Sequence, residues 1–298
     1  MEVISPGPEA IRPPEAEHSS KYSLVIFDFH GTMTDHQLRT IKAVHNAAHT
    51  VLPGPQDETI IYERNPENIH PRKAYTAEQL KTGAHFPTAF YQEMLTRPAR
   101  QSGQGEENKV FLRRKLAGYS PEQIEAFLAL YNQGMNDIYI PIPGTVQTLR
   151  ALEESDVHVS LLTNGSNRAS IQEQLSKWGV GFLNERLYSK HITGFRKPDI
   201  ETINYILNDY KKTGADITPQ QTLIVGDYID DIKAADNSGA DSALILRGTG
   251  RTHMVVRDPK PTYIISSPLQ ILDIVNGNFE QQIGDTFEVE PTLWPPKE

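Results

Sequence analysis

The stretch Leu24-Val25-Ile26-Phe27-Asp28-Phe29-His30-Gly31-Thr32 decides how this chain is read. Its apolar start is a short continuous run, the pattern of a strand buried on both faces, and it predicts a strand over 24–29. The run carries an acid, Asp28, at its end, and Gly31-Thr32 follow. A carboxylate there has to leave the sheet and meet water, a cation or a ligand. A plain turn after a strand is the alternative reading of the same residues.

Outward from this stretch, the clearest periodicity lies far downstream. Helices are predicted over 145–154, 166–178, 199–210, 229–238 and 269–275, and strands over 157–162, 222–225, 243–246 and 262–265. Such alternation implies βαβ units and a parallel sheet, so the expected fold class is α/β with a doubly wound parallel sheet. More than a hundred residues separate the first strand from the rest. The simplest account is a mostly helical insertion, residues 37–140, placed after that strand. Within it, helices are expected over 37–50, 110–118 and 121–136, the last with Ser120 as N-cap and Pro121 in the first helical position. The core then comprises 22–36 and 141–276, with tails at 1–21 and 277–298. In doubly wound sheets ligands bind beyond the carboxyl ends of the strands. Asp28, Thr163 and Asp227 all fall there.

Composition narrows the function. The 298 residues carry 29 Lys+Arg against 38 Asp+Glu, a formal net charge of −9. That acidic balance argues against a nucleic-acid partner. A small anionic substrate would be repelled at long range, so a phosphate site would need its own cations. With no cysteine in the sequence, disulfides, thiolate zinc sites, iron–sulfur clusters and a Cys nucleophile drop out. A reducing cytoplasm is the expected compartment. No apolar run approaches the roughly 18–20 residues of a membrane span. The first 21 residues, with Glu2, Glu9, Glu15, Glu17 and four prolines (Pro6, Pro8, Pro13, Pro14), have no apolar stretch and read as a solvated tail rather than a signal peptide.

Three further segments could carry chemistry. Thr163-Asn164-Gly165-Ser166 ends a strand and opens a helix, where free N–H groups and the Thr163 hydroxyl would suit an anion. Lys197 stands directly before Pro198-Asp199 at a helix start and could neutralise an anion, although a solvated surface lysine fits equally well. Gly226-Asp227-Tyr228-Ile229-Asp230-Asp231 crowds three carboxylates, which repel unless a cation shares them, and oxygen ligands of this kind suit Mg²⁺. The competing reading is acidic decoration of a helix N-terminus.

Taken in order, Asp28-x-x-Gly31-Thr32, Thr163-Asn164-Gly165, Lys197-Pro198-Asp199 and Gly226-Asp227-x-x-x-Asp231 resemble the haloacid dehalogenase superfamily. The resemblance is to the branch with a helical cap inserted after the first motif, which includes phosphoglycolate phosphatases, β-phosphoglucomutases and phosphonatases. It covers about 22–35 and 140–275. It implies Asp28 as the nucleophile that forms an aspartyl-phosphate. It implies Thr163, Asn164 and Lys197 as substrate contacts, with Lys197 also offsetting the Asp28 charge. Mg²⁺ would be held by Asp28, Asp227 and Asp231 together with the backbone carbonyl of His30. The substrate it implies is a small phosphorylated or otherwise anionic metabolite.

The departure from that pattern is His30, where the phosphatases of the family have a second Asp as general acid and base. Imidazole can donate and accept a proton near neutrality, and nearby carboxylates would favour its charged form. Three readings stay open: the acid/base of an active phosphatase, a different reaction on the same scaffold (mutase, phosphonate hydrolase or tailoring enzyme), and a catalytically silent binding protein. Retention of Asp227 and Asp231 points away from dehalogenation, which needs no metal, and toward phosphoryl chemistry. Elsewhere, His45 and His49 stand at metal-binding spacing on one predicted helix, though two surface histidines are the plainer reading. Arg97, Arg100 and Arg113-Arg114-Lys115 read as solvated cap residues, and Asp35 as a structural residue at the hinge into the cap.

Overall fold

The apolar run at 24–27 is the centre of a parallel sheet. The computed structural model describes residues 20–52, 104–165, 167–246 and 259–280. Among these, six strands form one sheet: β1 (Leu24–Phe27), β2 (His158–Thr163), β3 (Leu187–Ser189), β4 (Thr222–Gly226), β5 (Asp241–Ile245) and β6 (Tyr263–Ile265). Their order is β3-β2-β1-β4-β5-β6, every pair parallel. This is the doubly wound order. Neighbouring residues of each strand serve opposite faces. Val25, Phe27, Val159, Leu161, Leu223 and Val225 pack into one apolar cluster, and Leu24, Ile26, Leu162 and Ile224 into another. Helices α4 (Thr145–Glu153), α5 (Arg168–Lys177) and α9 (Gln270–Val275) cover the first face, while α7 (Ile200–Lys212) and α8 (Ile229–Ser238) cover the second. Burial on both faces is why these strands read as unbroken apolar runs.

Between β1 and α4 stand α1 (His36–Val51), α2 (Gln104–Lys115) and α3 (Pro121–Asp137). They share an apolar cluster of their own, built on Ala43, Val44, Ala47, Phe111, Leu112, Phe127 and Tyr131. Ser120 caps α3 with Pro121 in its first turn, as the sequence predicts, and Gln123 completes a capping box with Ser120. The outgoing and returning chains meet at the sheet's carboxyl edge. Asp35 donates its N–H to the Ile140 carbonyl at 2.9 Å, Ile142 donates to Met33 at 3.0 Å, and Thr34 bridges Pro141.

Several boundaries differ from the sequence reading. Strand β1 ends at Phe27, so Asp28 lies past the strand. Helix α5 starts at Arg168 rather than 166, because Asn167 caps it by accepting the Ser170 N–H at 3.3 Å. Helix α2 runs over 104–115 rather than 110–118. Strand β3 and the short helix α6 (Lys190–Thr193) have no counterpart in the sequence reading. Residues 1–19, 53–103 (with Arg97 and Arg100), 166, 247–258 and 281–298, together with the His49 side chain, lie outside the described residues.

Candidate active site

Parallel register sets the site. Phe27 is level with Leu161 on β2 and with Val225 on β4. Asp28 after β1, Thr163 closing β2 and Asp227 after β4 therefore emerge at one edge. The chain passes from β3 across to β4, so the crevice lies where the strand order reverses.

Lys197, on the segment between α6 and α7, is buried at that crevice. Its ammonium lies 2.5 Å from Asp28 Oδ1 and 2.6 Å from Asp231 Oδ1, and it donates to the Leu162 carbonyl at 2.9 Å. The lysine is thus no surface residue. Burial works to lower its pKa, but Asp231 and Asp28 together outweigh that and raise it, so it stays an ammonium. Asn164 fixes the lysine's main chain: its Oδ1 accepts the Lys197 N–H at 2.9 Å, and its Nδ2 donates to the Lys197 carbonyl at 3.0 Å. The Asn164 amide, expected against substrate, is committed to placing Lys197. The N–H of Gly165 is likewise engaged, at 3.0 Å, by Thr163 Oγ1. Of the expected anion site, the Thr163 hydroxyl proton and the Lys197 charge are what the described side chains offer.

Asp28, Asp227 and Asp231 each present an oxygen, all within 4.8 Å of one another. Two glycines make that approach possible. Gly31 has φ +96°, and a Cβ there would run into the Asp227 carboxylate. A Cβ on Gly226 would run into the Asp231 side chain. Thr32 Oγ1 donates to Asp227 Oδ1 at 3.2 Å, and Asp231 Oδ2 caps α8 by accepting the Tyr228 N–H at 3.1 Å. The other oxygen of Asp231, Oδ1, is buried and makes no aligned hydrogen bond, although Lys197 lies at ion-pair distance. Burial first, then the charges of Asp231 and Asp227, push Asp28 up to about 7, with Lys197 only partly offsetting them. Three carboxylates against one ammonium leave the cluster short of positive charge. A hard divalent cation fits this all-oxygen set.

His30 stands beside this cluster in an unexpected setting. Its Nε2 would lie 3.3 Å from a Cβ on Gly165, so it faces the Thr163–Gly165 turn. Its Nδ1 lies 3.1 Å from the Arg39 guanidinium. Guanidinium only donates, so Nδ1 accepts and the neutral ring carries its proton on Nε2. At Nδ1 the neighbour is thus a guanidinium rather than a carboxylate. The ring also stacks on Tyr139, at 6.0 Å between centroids, and Arg39 lies over the other part of that aromatic patch, 4.4 Å from the Tyr139 centroid. Sequence reading missed Arg39 and Tyr139. A signal existed: Arg39 precedes Ala43 and Ala47 at four-residue spacing, a charge on the buried stripe of α1.

The remaining candidates stay apart from the site. Arg113 pairs with Glu125 on α3 at 2.5 and 3.0 Å, and Arg114 and Lys115 are exposed beside the Phe111 ring. His45 is half-buried within the helical cluster, and among the described residues the one acidic or histidine group at ligand spacing is Asp28, Asp227 and Asp231. No helix among the described residues is long and apolar enough to cross a membrane.

Comparison with known proteins agrees with this geometry. The model of the haloacid dehalogenase-like hydrolases matches residues 25–245. A phosphoglycolate phosphatase of Agrobacterium fabrum is 29% identical over 163 residues, 52% of this chain and 67% of that one. Phosphoglycolate phosphatase 1 of Pseudomonas aeruginosa is 27% identical over 190 residues, covering 61% and 67%. Among solved structures, a HAD family hydrolase of Deinococcus radiodurans with bound phosphate and sodium superposes with a TM-score of 0.57 at 16% identity, covering 87% of this chain and 97% of that one.

Proposed function

The chain belongs to the haloacid dehalogenase-like hydrolase family and is an enzyme of its phosphatase kind, and from that premise we propose a Mg²⁺-dependent hydrolysis of a small phosphorylated metabolite through Asp28. The observation that carries the proposal is the set of Asp28, Asp227 and Asp231 at the sheet's switch point, Asp28 and Asp231 buried and both paired with Lys197. Asp28, Asp227, Asp231 and the His30 carbonyl would hold the cation. Bound there, Mg²⁺ would neutralise charge on the substrate phosphoryl group and keep Asp28 ionised.

The chain's own groups then divide the work. Lys197 and the Thr163 hydroxyl bind phosphoryl oxygens, and Asn164 holds Lys197 in place. A carboxylate oxygen of Asp28 attacks phosphorus, and the bond from phosphorus to the leaving oxygen breaks. His30, in the place of the family's acid/base Asp, gives its Nε2 proton to that oxygen, and the imidazolate so left is balanced by the Arg39 guanidinium against Nδ1. Water then attacks the aspartyl-phosphate, its proton passing to the vacated Nε2, and the bond from phosphorus to Asp28 breaks to release inorganic phosphate. The guanidinium against Nδ1 draws electron density from the ring and strengthens Nε2–H as a donor. Residues 37–140 form the cap, which excludes water and selects the substrate, while 22–36 with 141–276 form the core.

Turnover of an aryl phosphate with Mg²⁺, with and without EDTA, tests the reading beside Asp28→Asn. Hydrolysis that stops with EDTA, returns with Mg²⁺ and is abolished by Asp28→Asn is expected. Full activity in Asp28→Asn would sink the covalent route.

A further inference from the structure

Arg39 is a buried guanidinium, 5% exposed, and no described carboxylate pairs with it. A charge in that position normally has a counter-charge. Its contacts are instead the face of Tyr139 and the Nδ1 atom of His30, and its Nε has no partner among the described residues. Burial accordingly pulls the Arg39 pKa down, against the favourable influence of Tyr139. So costly a placement needs a purpose that packing alone does not supply, since Ala43 and Ala47 fill the same stripe of α1 with small apolar side chains.

The geometry points to Arg39 as a positioning residue for His30, acting from the inserted helices on the core site; this rests on the role proposed above for His30. An imidazole attached by a single bond can turn about χ2 and place either ring edge toward the crevice. Three contacts remove that freedom. Tyr139 lies nearly parallel to the ring, at 24° between planes, and Phe29 meets it edge-on at 79°. Arg39 selects between the two flipped orientations, because only a ring nitrogen with a lone pair can take its N–H. With Nδ1 so engaged, Nε2 faces the Thr163–Gly165 turn and carries the proton.

The origin of the clamp adds to the argument. Arg39 lies one turn into α1, just after the chain leaves the core, and Tyr139 lies just before it returns. The two crossing segments are tied by the Asp35 N–H to the Ile140 carbonyl at 2.9 Å, and the Arg39 N–H bonds back to the Asp35 carbonyl at 3.0 Å in the first turn of α1. The residues that orient His30 thus flank the bonds that join the two crossing segments.

A double-mutant cycle tests this. Arg39→Met, Arg39→Lys, His30→Ala and Arg39→Met/His30→Ala are compared with Mg²⁺ and p-nitrophenyl phosphate, then with an alkyl phosphate. On the alkyl phosphate, in the His30 background, Arg39→Met should lower kcat by about tenfold or more with KM little changed, and Arg39→Lys should recover part of the loss. In the His30→Ala background, Arg39→Met should change kcat by less than about twofold, since the residue it acts through is gone. Equal losses in both backgrounds, or no loss in either, would overturn the inference. Should Arg39→Met fail to fold, the Arg39→Lys pair is read by the same rule. The tautomer of His30 supplies a readout independent of turnover. At about pH 9, above the ordinary imidazole range, nitrogen NMR of the wild type should show one ring form protonated at Nε2, and Arg39→Met a mixture. Absence of any turnover in the wild type would tell against the proposed function, whereas an unchanged ring spectrum would tell against Arg39.

Discussion

Asp28 is held in a setting that opposes its own charge. Burial and two neighbouring carboxylates raise its pKa from 3.8 to about 7. A carboxylate raised in the folded state stabilises the fold fully below its unfolded pKa, and that contribution is lost as pH rises through the folded value. Without metal, the protein should therefore lose stability between about pH 4 and pH 7, by on the order of a few kcal/mol, because one pKa step is worth about 1.4 kcal/mol. Asp28→Asn should raise the melting temperature of EDTA-treated protein at about pH 8 and give little gain near pH 4. Mg²⁺ should raise the wild-type melting temperature at the higher pH and raise that of Asp28→Asn less. An Asp28→Asn variant melting below the wild type at about pH 8 without metal would contradict the charge imbalance. His30 makes a second case at this scale. If its Nε2 protonates the leaving oxygen, His30→Ala should slow alkyl phosphates by about 10²-fold or more beyond any loss on p-nitrophenyl phosphate, whose phenolate leaves unaided. Equal losses on the two substrates would remove His30 from that step.

Elements bring these residues together, and here the sequence was legible to an unequal degree. The strand and helix types of β1, β2, β4, β5 and β6 and of the helices following them were readable, because burial on both faces leaves unbroken apolar runs. Strand β3, Leu187-Tyr188-Ser189, was not: three residues carry no periodicity, and pairing with β2 makes the strand. The carboxylates and Lys197 were readable from motif order. The Arg39 contact was not, because it joins the first turn of α1 to a residue nine positions earlier across a bend. Between these extremes stand the glycines. Gly31 and Gly226 stand in the motifs without a role of their own, but the fold uses them as clearance for Asp227 and Asp231 at the ends of β1 and β4. Gly31→Ala should cost about 2–4 kcal/mol in urea unfolding, from the positive φ and the collision together, and should weaken Mg²⁺ binding. Gly118→Ala, with nothing near its added methyl group, should stay within about 0.5 kcal/mol of the wild type. Equal effects at both positions would mean that the clearance is not what Gly31 provides.

At the scale of the molecule, two bodies of apolar packing share one chain. The sheet clusters hold the carboxylates, and the cluster of α1, α2 and α3 holds Arg39's helix. The chain crosses between them at 33–35 and 139–142. Phe127 is fully buried in the helical cluster and belongs to neither sheet cluster. Phe127→Ala should remove about 3–5 kcal/mol from the packing around it. If the insertion is a cap with a core of its own, that loss should stay local. Hydrogen exchange should accelerate along α1 and α3, while amides of β1, β2 and β4 keep their protection. Activity should fall on substrates larger than inorganic pyrophosphate or aryl phosphate, through a higher KM, because cap closure supplies contacts the core does not. Mg²⁺ should still raise the melting temperature, since its proposed ligands stand on the sheet's carboxyl edge. Loss of strand protection in step with that of α1 and α3 would show that sheet and insertion unfold as one unit, and the division of labour between them would have to be abandoned.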